Sequence, residues 1–170
     1  MRNCGPCRAC CIVFPLPVLD KPAYEACRHL CAGGCAVHRQ GQPEVCREYT
    51  CAWLDHEELP EEYRPDRVGM VATESGEITA RDRTLPVLVA NLLERDCDQG
   101  AGARAMLEGF AAAGMVTLVV DGPKLRIVYD HERYAGISPR DIEAAFQRER
   151  AKDAEELRRL GAVDPGFRPL

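Results

Sequence analysis

Cysteine is nearly absent from most of this chain: of its ten cysteines, only Cys97 lies beyond residue 51. Long apolar runs are missing too, and the early stretch IVFPLPVL is broken by two prolines. Without a basic start, an apolar core and a cleavage site, the sequence carries neither an export signal nor a membrane span, so a cytoplasmic location is expected. Basic clusters are lacking. The 22 Lys and Arg are interspersed among 27 Asp and Glu, for a net charge of -5. That balance excludes a nucleic-acid or anionic-membrane surface, since both reward clustered cations. No Ser-His-Asp order, P-loop or H-E-x-x-H occurs, so no catalytic motif is evident. Internal repeats and low-complexity tracts are also absent.

The first 51 residues are the opposite case. They hold nine cysteines, opening with MRNCGPCRACC. In a reducing compartment, such density points to metal ligation rather than to a disulfide framework. Cys4, Cys7 and Cys10 form C-x2-C-x2-C, a spacing that lets tight turns aim successive sulfurs at one ion or cluster. Cys27, Cys31 and Cys35 follow at four-residue spacing, then Cys46 and Cys51. Gly33 and Gly34 precede Cys35, where a sharp backbone turn can point N–H groups at sulfur. Charge makes the same point. Six Lys and Arg against four Asp and Glu in this region cannot balance nine thiolates, so cations must neutralise them or most stay protonated. Cys97 lies between Asp96 and Asp98, whose charges disfavour a thiolate, and reads as an ordinary thiol.

This pattern divides the chain into a cysteine-cluster metal-binding module (1–56), a charged, proline-containing linker (57–66) and a small α+β unit with a C-terminal helix (67–170). The module is rich in Gly and Pro and lacks a sustained period, so its fold is expected to be irregular and metal-stapled. In the second unit RVGMVAT reads as a strand, ESGE as a turn, and ITARD and PVLVAN as further strands. AGARAMLEGFAAAG reads as a helix with Met106, Leu107 and Phe110 on one face and Gly114 as its stop. MVTLVVD and LRIVYD flank DGPK as a hairpin. SPRDIEAAFQRERAKDAEELRRLG reads as a long helix with Ser138 as N-cap, Pro139 first, Asp141 completing a capping box and Gly161 at its end. Its thin apolar stripe (Ile142, Phe146, Leu157, Leu160) suits a solvated helix docked by one edge, with only a hint of a protein-docking surface. The expected class is α+β: an irregular module, a small antiparallel-sheet-plus-helix unit and a long C-terminal helix.

CGPCRACC, CRHL, GGCAVH, QPEVCREYTCAWL and LPEEYRPDR, taken in order and spacing over about residues 4 to 68, resemble the CxxCxxCC or YkgJ-type cysteine-cluster family, described as a zinc- or iron-chelating domain. The resemblance implies that Cys4, Cys7, Cys10, Cys11, Cys27, Cys35, Cys46 and Cys51 bind metal, leaving Cys31 as an extra. The family's tyrosine after the central cysteine is His38 here and its Arg-Pro is Gln42-Pro43, while Arg47, Tyr49 and Trp53 fit. His38 reads as a supporting or surface residue, with ligation as the alternative.

Eight ligands permit two Cys4 sites: two zinc ions, two cubane clusters, or one cluster with unused thiols. The expected function is therefore a metal-binding protein for zinc or iron, with an iron-sulfur redox or electron-transfer protein, an accessory oxidoreductase or a zinc-stapled adaptor as alternatives, and metal uptake and release as a further role. One nucleotide-like signal competes. GAGARA (100–105) fits G-x-G-x-x-A, with Asp121 at the distance of a ribose-binding acid, but ERDCDQ rather than an apolar strand precedes it. A Gly/Ala-rich helix start is the simpler reading.

Overall fold

The computed structural model describes residues 2–38, 40–122 and 124–159. Along the chain come α1 (Ala9–Val13), β1 (Leu30–Cys31), β2 (Gly34–Cys35), α2 (Glu44–Glu48), α3 (Ala52–Asp55), α4 (Pro65–Val68), β3 (Met70–Ala80), β4 (Arg83–Leu92), α5 (Ala101–Ala112), β5 (Val116–Asp121), β6 (Lys124–Val128) and α6 (Pro139–Arg159), with short 3-10 turns between some of them. The class is α+β. A four-stranded sheet in the order β3-β4-β5-β6 forms the centre, and β1 and β2 make a separate two-residue hairpin. The sheet is antiparallel except between β4 and β5, which run parallel and are joined through α5. Those two central strands, TLPVLVANL and VTLVV, are covered on both faces and so read as near-continuous apolar runs rather than as alternation.

Residues 70–80 are one strand, not two strands around a turn. Pairing with β4 slips between Glu74 and Glu77, so ESGE is a bulge, with Gly76 at φ 69°. An extra residue reverses the alternation of everything beyond it. Met70 and Ala72 accordingly face α5, whereas Ile78 and Ala80 face α6. The actual turn is at Arg81 and Asp82, both with positive φ (46° and 61°), the backbone of a tight two-residue hairpin loop.

One sheet face packs on Ala103, Met106, Leu107 and Phe110 of α5, which ends at Gly114 (φ 89°) as its sequence indicates. The other packs on Ile142, Ala145 and Phe146 of α6. The capping box of α6 is present: Asp141 Oδ2 accepts from Ser138 N (2.8 Å) and Ser138 Oγ (2.6 Å), and also meets Arg81 Nε at 3.1 Å, tying the helix start to the β3–β4 turn. The Leu157 side chain, Leu160 and Gly161 lie outside the described residues. Among the described residues no helix is long and apolar enough to cross a membrane.

The cysteine-rich segment carries a small apolar core of its own. Ala9 and Val13 of α1, Cys51 and Trp53 bury against Val71 of β3, with Leu59 and Tyr63 from the 57–66 segment packed alongside. Val71 projects from the same sheet face as the α6 core, because Val71 pairs with Asn91 and Val89 of the same strand lies under α6.

Two changes test this framework. Gly69 closes α4 at φ 75°, and a Cβ there would lie 2.8 Å from Cys97 Cβ, so Gly69→Ala should lower stability by at least about 1–2 kcal/mol, the cost of a left-handed non-glycine residue alone, read from the urea midpoint. The Asp141 carboxyl is held down at about 2, first by the Ser138 hydroxyl and amide and then by Arg81. Since its unfolded value is about 3.9, this stabilisation is present above about pH 4 and lost as the pH falls through about 2. Asp141→Asn should thus be less stable than the parent at neutral pH, with the gap closing on acidification.

Candidate metal centre

Short backbone devices fix the cysteines. The Cys7 amide donates to Cys4 O at 2.9 Å across a turn in which Gly5 has φ 51°. α1 then buries Ala9 and Val13, four residues apart on one stripe. Cys10 and Cys11 are consecutive on that helix and diverge by about 100° around its axis. Cys11 O accepts the Cys27 amide at 3.0 Å, and Cys27 O accepts Leu30 N at 2.9 Å, which brings in the β1–β2 hairpin, where Leu30 opposes Cys35. Gly34, at φ 112°, passes so close to the first turn that a Cβ would sit 2.9 Å from Gly5 O. Cys46 rides on α2, and Cys51 immediately precedes α3, buried beside Trp53.

The thiols act on one another through space. The sulfurs that act most strongly on Cys10, besides its neighbour Cys11, are Cys4 and Cys7; Cys51 is felt at Cys7, and Cys4 at Cys51. Cys46 feels Cys11, Cys27 and Cys35, and Cys35 feels Cys11, Cys27 and the extra Cys31. Burial raises Cys7 to about 11 and also lifts Cys35, Cys46 and Cys51, with the Leu54 and Trp53 amides partly offsetting it at Cys51. Cys10 and Cys11 share a sulfur–sulfur hydrogen bond that pushes Cys10 far up, reinforced by burial, and draws Cys11 down to about 7, helped by the Lys21 ammonium. The Asp66 carboxylate, paired with Arg64, also bears on Cys7 and opposes its ionisation. A buried sulfur set of this kind remains largely protonated until a cation replaces the protons.

Lys21 is the cation the chain itself supplies. It is 7% exposed, and its Nζ donates to Ile12 O (3.1 Å), Pro22 O (3.0 Å) and Phe14 O. The charges of Cys27, Cys11 and Cys10 support it against the burial that lowers its pKa. Arg2 closes the module from the other side: its guanidinium lies 4.6 Å over the Trp53 ring and donates to the carbonyls of Trp53 (2.9 Å), His56 (3.1 Å), Glu57 (2.7 Å) and Leu59. Tyr49, half-buried, reaches Thr73 Oγ1 at 2.8 Å and packs edge-on to Phe14. Neither Lys21 nor Arg2 stands out in the sequence, because a lone cation in a loop has no periodic signature.

Other residues singled out by the sequence lie apart. Cys31 is exposed, with its Sγ donating to Gly34 O at 3.2 Å, and His38 is exposed at the surface. Cys97 bonds Gly69 O at 2.7 Å beside α4, and neighbouring Asp98, 3% exposed, pairs with Arg126. GAGARA does open α5 between two parallel strands, yet 93–99 separates it from β4 and includes a 3-10 turn, so its glycines do not continue directly from the strand end. The phosphate-binding turn requires that continuity. As placed, the described residues bring no three His, Cys, Asp or Glu side chains close enough to hold a metal ion. Donor type and number fit a thiophilic metal, and uptake would have to draw neighbouring thiols inward. No family model, curated protein or solved structure matches the chain.

Replacing Lys21 by Met keeps the side-chain length but leaves three carbonyls without their donor. Lys21→Met should destabilise the chain by about 1–3 kcal/mol or more, measured by urea denaturation.

Proposed function

We propose that this chain is a metal-binding cysteine-cluster protein in which Cys4, Cys7, Cys10, Cys11, Cys27, Cys35, Cys46 and Cys51 hold zinc or iron. The observation that carries the reading is that cysteines distant in sequence are brought together, Cys51 with Cys7 in one apolar cluster and Cys27 bonded to Cys11 O, whereas Cys97 bonds the Gly69 carbonyl. The resemblance to the YkgJ-type family, which rests on the same eight cysteines, supports it. The module would function in the reducing cytoplasm, where unpaired thiols persist.

Thiolate, not thiol, is the ligand, so binding must expel protons from groups that burial keeps neutral. Metal supplies the positive charge that lets them ionise, with Lys21 adding a fixed cation near Cys11 and Cys27. Affinity therefore falls as the pH drops, and metal loading acidifies a weakly buffered solution. Iron-sulfur chemistry would make the protein an electron carrier or accessory oxidoreductase; zinc would make it a stapled adaptor, or a metal-handling protein if exchange is rapid.

Anaerobic purification without added metal, followed by the visible spectrum and iron, sulfide and zinc per chain, separates these roles. Iron with matching sulfide and broad visible absorption establishes the redox reading, and colourless zinc protein the adaptor or metal-handling reading. Cys7→Ser should lower bound metal sharply and Cys97→Ser should leave it unchanged. Folded wild-type protein that stays free of metal under these conditions and after zinc or iron loading overturns the proposal.

A further inference from the structure

We propose that His56, held between the carboxylates of Glu58 and Glu74, is a pH-sensitive clasp that fastens the end of α3 to the bulge of β3 and loosens when its imidazole loses a proton. His56 Nδ1 lies 3.0 Å from Glu58 Oε1, and Nε2 lies 2.8 Å from Glu74 Oε1. An ionised carboxylate only accepts, and a neutral imidazole carries a single N–H. Both contacts are therefore hydrogen bonds only while the ring is the doubly protonated cation. Deprotonation turns a nitrogen lone pair toward an anionic oxygen and removes the donor from that carboxylate.

The three partners come from separate parts of the fold. His56 closes α3, with its amide donating to Ala52 O at 2.9 Å and its carbonyl accepting from Leu59 N at 3.1 Å. Glu58 sits on the 57–66 segment. Glu74 is the last β3 residue paired with β4 before the register slips, and a bulge of this kind re-aims the side chains beside it. Arg2 reaches the same corner from the N-terminus, donating to the carbonyls of His56 and Glu57 and acting on the Glu58 carboxylate. Asp55 and Glu57 flank His56 in the chain, so the imidazolium lies in a neighbourhood of four carboxylates and one guanidinium. Because the His56 backbone is fixed through both its amide and its carbonyl, the ring is the part that responds to pH.

The direction of the response follows from these contacts. The Glu74 bond raises the imidazole above its usual value, burial pulls the other way, and Glu58 adds to the rise. With the folded value raised, the clasp's contribution is fully present below the unfolded value of about 6.5 and is lost as the pH rises through the folded one. On the acid side it is lost again as the carboxylates take up protons, which for an ordinary Glu happens near about pH 4.3 and for Glu58 lower still. The His56 side chain is 38% exposed and its partners more so, which leaves the proton free to exchange and the clasp open to screening by salt. When it opens, Trp53, Leu59 and the Arg2 bonds still hold this corner, so the change is local.

An NMR titration of the full-length protein in reducing buffer tests the clasp directly. The imidazole of His56 should titrate above the usual value of about 6.5, and added NaCl should bring it down. Glu74→Gln keeps the side chain's size and an acceptor oxygen but removes the charge, so in that variant His56 should titrate at a lower pH than in the parent. A second readout follows the mechanical consequence. The urea midpoint of wild type should exceed that of Glu74→Gln at about pH 5.5, where the ring is charged, and the gap should narrow by about pH 8.5, where it is neutral. The wild-type titration needs no variant, so it decides the matter even if Glu74→Gln folds poorly. A His56 that titrates at or below its usual value, or a midpoint gap that does not change with pH, overturns the proposal.

Discussion

A thiolate is costly to bury without a cation, and the N-terminal third of this chain is arranged around that constraint. Cys51 is buried beside Trp53 and Val71, Cys7 lies on the edge of the same apolar cluster, and Cys10 and Cys11 share one hydrogen bond. Burial at Cys51 and Cys7 and the shared bond at Cys10 favour the neutral thiol, whereas that bond draws Cys11 down to about 7; the Asp66 carboxylate opposes ionisation of Cys7. Among the described residues, a buried lysine held by three carbonyls supplies compensating charge. Buried thiols of this kind stay neutral unless a cation replaces their protons.

That segment is not held by sulfur alone. Val13 and Trp53 plug one end of a sheet face whose other end supports α6, and Arg2 both covers the indole and takes carbonyls around the end of α3. The 57–66 segment contributes Leu59 and Tyr63 to this packing. A thiol cluster seated on a sheet differs from a free-standing loop, because the apolar anchor holds Cys7 and Cys51 near each other by packing alone.

Where the sequence reading succeeded, the signals were local. α5 announced itself by its apolar spacing and Gly114, and α6 by Ser138, Pro139 and Asp141, because helix ends need partners for their own backbone groups within a few residues. The β5–β6 hairpin followed from two apolar runs around a turn sequence. The signals failed where backbone geometry depended on a partner strand. ESGE has turn composition but is a bulge, and Arg81-Asp82 lacks the usual glycine yet forms the tight turn. The parallel pairing of β4 and β5 was equally invisible, since a buried strand looks the same whichever way its neighbour runs.

The concentration of cysteines was legible from number and spacing, because thiol chemistry is a property of the residue type and C-x2-C is a local motif, while the choice of eight among them is what the family resemblance implies. Their grouping was not. Cys51 joins the first turn only because Val13, Trp53 and Val71 bury one another, and Cys27 joins Cys11 only through a main-chain hydrogen bond across a loop. Composition by itself determined that this chain concentrates its thiols in the first 51 residues. Tertiary packing decided which thiols are neighbours and placed Lys21 and Asp66 beside different ones, because burial and through-space charge depend on distance in three dimensions rather than on position along the chain.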